Sequence, residues 1–295
     1  MADAPALPNT DVASTAATYP YATWTLIVVG LGSFLTAIAS SSITLALPTI
    51  GRDLGIGLED TNWIVSAFIL SISMLLLPIG RLSDLLSHRR IYLIGVGLFT
   101  LTSLACGLAA NPAMLIFARI VQGVGGAMIM VAGPALIVSA TAPKNRGRAV
   151  GLWSGAVYFG LTIGPSLGGL ILATLDWPWL FYMNLPLAAL AIALGWNHLP
   201  RSRSAEHPPF DYKGTLTLAL ALPLLLLALN RGAIWGMAVA VPLFALGAFF
   251  LGLFLFIERR TKAPLLDLDF FKNTTFKGAT ASAAINYIEI GRAHV

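Results

Sequence analysis

The feature that most narrows the fold is a succession of long apolar runs separated by short polar breaks. The runs fall at about 24–47, 60–80, 91–110, 112–140, 149–174, 179–199, 214–230 and 236–257, and a ninth begins near 277. About 20 apolar residues are what a helix needs to cross the hydrocarbon core of a bilayer. Inside that core no water satisfies backbone N–H and C=O groups, so each run must close its hydrogen bonds within itself. The expectation is an all-α polytopic membrane protein. Composition agrees: 57% of residues are hydrophobic and 11% charged, against about a quarter charged in soluble domains.

Charge sets the expected orientation. The breaks after the second, fourth, sixth and eighth runs hold Arg81, Arg89 and Arg90; Lys144, Arg146 and Arg148; Arg201, Arg203 and Lys213; and Arg259, Arg260, Lys262, Lys272 and Lys277. The intervening breaks hold Arg52 and Arg231. Basic residues concentrate in cytoplasmic loops, which places the N-terminus and the even-numbered breaks in the cytoplasm. The formal net charge of +5 is spread over these breaks and not gathered on one face, so no nucleic-acid partner is expected.

The expected organisation follows from the breaks. Residues 1–22 are Ala- and Pro-rich without Lys or Arg, unlike the basic start of a secretory signal, and read as a disordered cytoplasmic tail. Residues 23–199 carry six runs and read as a six-helix bundle. The break at 200–213 is the longest and reads as a cytoplasmic linker. Residues 214–258 add two helices poor in polar groups, and 259–288 read as a cytoplasmic loop and the start of a second bundle. Residues 289–295 match the in-frame translation of a common sequencing adapter, so the expectation is a gene fragment whose natural frame continues past Ile288. Glu289, Arg292 and His294 are given no mechanistic weight.

Three groups of residues stand out within the runs. Gly160, Gly164 and Gly168 recur every four residues, so a helix here carries a smooth stripe that lets another backbone approach closely. Pro165 lacks a backbone donor and is expected to kink that helix. The stripe suits either a sliding contact or a tight pair that never moves. Arg119 is a full charge deep in the fourth run, and burying it is costly. It faces the bundle interior or a cavity, or it snorkels to the interface. Gln122 lies three residues on, on the same face. Ser40, Ser41, Ser42 and Thr44 in the first run line a cavity or bond back to their own helix.

Asp84 sits among Arg81, His88, Arg89 and Arg90 after the second run. It forms either a charge clasp against neighbouring helix ends or part of an ordinary positive-inside loop. Trp24, Trp63, Trp177, Trp179 and Trp235 lie at run ends, where interfacial anchors are common. The single cysteine, Cys106, falls within an apolar run and reads as a packed thiol. No cluster of His, Cys, Asp or Glu has metal spacing, no nucleotide loop is present, and no serine in a run has a basic partner. Neither a metal, a cofactor nor an enzymatic site is expected.

Taken in order, these stretches resemble the major facilitator superfamily and, within it, the fourteen-span drug:proton antiporters of the EmrB/QacA-like subfamily. Gly80, Leu82, Asp84, Arg89 and Arg90 match its loop motif; Arg119, Gln122 and Gly123 match its span-4 motif; Gly160, Gly164, Pro165, Gly168 and Gly169 match its antiporter motif. Ala46-Leu47-Pro48, Trp63 and Phe181, Tyr182, Asn184 and Pro186 fit between them, and the resemblance covers about 20–288. It implies a six-helix bundle, two linking helices and the start of a second bundle, in a bacterial plasma membrane. It implies export of amphiphilic or lipophilic small molecules by alternating access in exchange for protons, with a periplasmic adaptor as a further candidate partner. Arg119 and Gln122, with Ser41 and Thr44, would belong to proton coupling and the cavity. Gly80, Asp84, Arg89 and Arg90 would form the cytoplasmic gate, and the glycine–proline helix the moving contact.

The chain also departs from that pattern. Ala39 stands where the family has an aspartate in the first span, Leu85 where most relatives have an arginine, and Ser87 where the loop has its second glycine. Trp177-Pro178-Trp179 replaces Trp-Arg-Trp. No acid lies inside any complete run. A nutrient importer, a membrane enzyme and a transport-inactive sensor are the competing readings.

Overall fold

The structure is a computed structural model, and it describes residues 22–200, 211–261, 264–265, 272–274, 276–278 and 280–282. Residues 1–21 of the expected tail, 201–210 of the expected linker and the segment 289–295 lie outside the described residues. The chain forms α1 (Ala22–Ser41), α2 (Ile43–Asp53), α3 (Leu58–Leu86), α4 (His88–Gly107), α5 (Pro112–Ala140), α6 (Arg146–Thr174), α7 (Trp179–Tyr182), α8 (Asn184–His198), α9 (Tyr212–Trp235) and α10 (Met237–Glu258). Among the described residues eight helical stretches are long and apolar enough to cross a membrane. It is an all-α polytopic membrane protein.

Local chemistry explains the boundaries. Asn111 accepts from the Met114 N–H at 2.8 Å and Pro112 takes the first helical position, a cap and a preset φ that start α5 where the sequence places it. Asp211 likewise caps α9 through the Gly214 N–H. The first run, expected as one helix, breaks at Ser42. Ser41 Oγ and Ser42 Oγ donate to the carbonyls of Ala37 and Ile38 at 3.0 and 2.8 Å, back-bonds that loosen and bend a helix. The second run shows the opposite departure. Gly80 to Leu86, expected as a loop, continues α3, and the turn is confined to Ser87, whose φ is 155°.

Packing builds two cores. Val28, Val29 and Leu35 of α1, Phe68 of α3, Tyr92, Val96 and Phe99 of α4 and Ile129 and Leu136 of α5 form the larger one, with Ala39 buried inside it. At the end where α2 closes, Ile43, Ile50, Ile64, Leu115, Trp177 and Phe181 form the second. Trp177 is therefore not an interfacial anchor. It is 4% exposed and donates from Nε1 to Asp53 Oδ2 at 2.7 Å, tying α2 to the turn before α7. α9 and α10 pack chiefly on each other, and the Trp63 and Trp235 rings stack at 6.0 Å to join α9 to α3.

Candidate functional site

α6 lies along α1, and its glycine stripe is the contact. A methyl group at Gly164 would overlap Ser41 Oγ and sit 3.4 Å from the Ser42 nitrogen, one at Gly168 would lie 3.0 Å from the Ser42 carbonyl oxygen, and one at Gly160 would lie 2.9 Å from the Phe34 carbonyl oxygen. The obstacle is backbone at Gly160 and Gly168 and chiefly the Ser41 hydroxyl at Gly164, so a larger residue at any of the three forces α1 or its side chains to shift. Gly169 belongs to the same motif but meets nothing within 4 Å. α6 runs unbroken through Pro165.

Above this contact α1, α3, α5 and α6 enclose a concave cavity of about 500 Å³. Ser33, Thr36, Ala37 and Ser40 present one face of α1 to it; Phe68, Ile69, Ile72, Ser73 and Leu76 come from α3, Met130 from α5, and Trp153, Val157 and Leu161 from α6. None of these side chains is charged. Trp153 Nε1 donates to Ser33 Oγ at 2.8 Å, which fixes the indole beside the opening.

Of the residues expected to line a cavity, Ser40 does and Ser42 bonds back to its own helix; Ser41, Thr44, Arg119 and Gln122 lie elsewhere. Ser41 is partly buried against α6, with Oγ 3.5 Å from the Gly160 carbonyl, and Thr44 is exposed on α2. Arg119 and Gln122 are fully buried. Ser33 and Thr36 were missed; their spacing with Ala37 and Ser40, one apolar-face repeat of small residues, is the signal that points to them.

Arg119 neither snorkels nor opens on the cavity. Its Nε donates to the Ile64 carbonyl at 3.0 Å and its Nη1 to Gln122 Oε1 at 2.7 Å. Gln122 Nε2 in turn donates to Ser103 Oγ at 2.7 Å, so one polar chain ties α3, α5 and α4 together. The guanidinium carbon sits 4.1 Å from the centroid of the Phe68 ring, a favourable cation–π placement. Phe68 also lines the cavity, so the ring that the charge packs on reaches the open space, although Arg119 itself is not part of the lining. Nη2 is buried without a hydrogen-bond partner, and no ion pair to Arg119 occurs among the described residues. Cys106 is buried and free, with Sγ 3.9 Å from Gln122 Oε1.

At the basic end Asp84 does not meet Arg89. Its carboxylate is 3.9 Å from His88 Nε2, and His88 Nδ1 lies 2.8 Å from Ser83 Oγ. Arg89 donates instead to the Trp196 carbonyl, joining α4 to α8, and Arg90 is exposed. Asp84 lies near the end of α3 and His88 opens α4, so the turn at Ser87 folds the imidazole back beside the carboxylate, where the arginine was expected. Gly80 is in ordinary contact with Val131.

Comparison with known proteins gives a consistent family. The family model described as Major Facilitator Superfamily matches residues 29–285. The chain is 37% identical over 262 residues to the multidrug resistance protein Stp of Mycobacterium tuberculosis, covering 88% of this chain and 49% of that protein. It is 31% identical over 253 residues to the riboflavin transporter RibZ of Clostridioides difficile, covering 85% and 54%. The fold resembles the proton:xylose symporter XylE bound to 6-bromo-6-deoxy-D-glucose, with a TM-score of 0.55 at 18% identity over 72% of this chain and 54% of that one. The chain spans about half the length of the curated relatives it matches.

Proposed function

The chain belongs to the major facilitator superfamily, and on that premise we propose a membrane transporter that exports amphiphilic or lipophilic small molecules by alternating access, driven by entry of protons. The observation that carries this reading is the cavity, a concave wall of apolar and hydroxyl-bearing side chains without a charge, beside a helix contact made of glycine. Similarity to a protein named for multidrug resistance supports it. Family and fold point to a transporter and not an enzyme.

In this reading residues 23–199 form one bundle, 214–258 add two helices of the fourteen-span EmrB/QacA-like plan, and a second bundle supplies the facing wall. The N-terminus and the basic helix ends lie in the cytoplasm of a bacterial cell. Ser41, at the α1–α6 contact, moves against Gly160 and Gly164 on the helix that also carries Pro165, Gly168 and Gly169, while Gly80, Asp84, Arg89 and Arg90 close the cytoplasmic side. Arg119 and Gln122 couple substrate movement to protons. Ala39 lies in the apolar core, so this position of α1 supplies no proton-accepting carboxylate.

The test is dye accumulation in pump-deficient cells carrying the complete polypeptide with this sequence. Lower accumulation than in cells with empty vector, restored by a protonophore, is expected. Equal accumulation overturns the reading. Uptake of a nutrient is the second reading, favoured by the similarity to RibZ, and inward flux in the same assay would select it.

A further inference from the structure

The hydroxyl groups lining the cavity are not equivalent. A serine or threonine in a helix commonly gives its proton to the carbonyl four residues back. Thr36 does so to Gly32 at 2.9 Å, and Ser73 on α3 does so to Ile69 at 2.9 Å. Those two can offer a ligand only lone pairs. Ser33 and Ser40 behave differently. Ser33 Oγ accepts from Trp153 Nε1 at 2.8 Å and makes no bond to its own helix, and Ser40 Oγ has no hydrogen bond among the described residues. Both line the cavity, and Ser33 is 3% exposed.

At the buried Ser33 a hydroxyl proton without an acceptor is unfavourable and is relieved by an acceptor that arrives from the cavity, while the half-buried Ser40 hydroxyl, unpaired among the described residues, faces the same space. With no carboxylate on this wall, nothing specifically attracts a cation; the ring of Phe68 is already engaged by Arg119. Seven residues of helix separate Ser33 from Ser40, about 10 Å along the axis. The wall therefore offers two donors, two turns apart, on an otherwise apolar surface with one indole beside the first.

We propose that Ser33 and Ser40 are the substrate-contacting donors of this wall, selecting uncharged lipophilic compounds that carry carbonyl or ether oxygens, and that Trp153 is a positioning residue holding Ser33 off its own helix. This rests on the exporter reading above. Without the indole donor, the Ser33 hydroxyl is free to turn its proton onto the Val29 carbonyl one helical turn back, and the donor is lost to the ligand.

The experiment compares two probes in cells expressing the complete polypeptide: Nile red, uncharged with a carbonyl acceptor, and ethidium, a permanent cation. Ser33→Ala combined with Ser40→Ala is expected to raise the KM for Nile red export about tenfold, the loss of one to two ligand hydrogen bonds, with kcat little changed and ethidium export within twofold of wild type. Trp153→Phe should raise the Nile red KM in the same direction. Parallel loss of both probes would mean the serines only shape the fold, and unchanged KM for Nile red would mean water satisfies the hydroxyls; either result overturns the assignment while wild-type export keeps the exporter reading. Export of neither probe by the wild type overturns both.

Discussion

Arg119 Nη1 donates to Gln122 Oε1 at 2.7 Å, and both side chains are fully buried. That bond fixes the amide of Gln122, whose oxygen is committed to the guanidinium and whose nitrogen must then find an acceptor on Ser103. The charge is thus solvated by two oxygens and an aromatic face, without a carboxylate. Such an arrangement holds a cation in place while leaving Nη2 uncommitted.

Breaking that chain should separate stability from transport. Gln122→Leu leaves Arg119 Nη1 and Ser103 without partners, and about 1–3 kcal/mol of stability is expected to be lost, read as a lower Tm in detergent. Arg119→Ala in the complete polypeptide should abolish proton-coupled efflux while membrane insertion persists. Undiminished transport would remove Arg119 from the mechanism.

The glycine motif makes an internal control possible. Gly164→Leu drives a side chain into Ser41 and the Ser42 backbone, and overpacking of this kind costs about 1–3 kcal/mol or more. Gly169→Leu points into open space and should fall within about 0.5 kcal/mol of wild type. Thermal denaturation of the pair tests whether the contact, and not the motif as a whole, carries the constraint. Equal Tm values would refute it.

The Trp177–Asp53 bond is a second long-range tie, between residues 124 apart in sequence. Trp177→Phe keeps the packing against Phe181 and removes one hydrogen bond to a charged group, worth about 1.5–3 kcal/mol. Asp53→Asn keeps an acceptor oxygen and should cost less. The order of the two Tm shifts is the measurement, and a larger loss for Asp53→Asn would contradict the assigned role.

How far the sequence is legible depends on whether the cause is local. α5 begins where its composition says because Asn111 and Pro112 set its start within four residues. The Ser42 break was not legible, since an apolar run reads as one helix whatever its serines bond back to, and the extension of α3 to Leu86 was not, since a polar stretch near an interface reads as loop although its backbone still closes a helix. In the site, Arg119 and Gln122 were found because a charge in an apolar run is conspicuous. Ser33 and Ser40 matter through what they do not bond to, and Ser33 through an indole 120 residues away. The adjacent hydroxyls of Ser41 and Ser42 drew attention that belongs to the face beside them.

Ser87 gives the last prediction. It takes the place of a glycine in the resembled loop motif, and the structure shows why glycine suits that place: φ is 155° and ψ 129°, a region that side chains adopt only under strain of about 1–3 kcal/mol. Its neighbours hold it there, because the Ser87 N–H closes α3 onto the Ser83 carbonyl at 3.2 Å and its carbonyl accepts from Ile91 at 3.1 Å to open α4. Ser87→Gly keeps both backbone bonds and removes the strain, offset in part by the greater freedom of an unfolded glycine. A net gain of about 1 kcal/mol is expected, or about 2–4 °C in Tm for a chain of this size. Ser87→Ala should show no gain, since it keeps the Cβ. A Tm that rises equally in both variants would place the effect in the hydroxyl and not in the backbone.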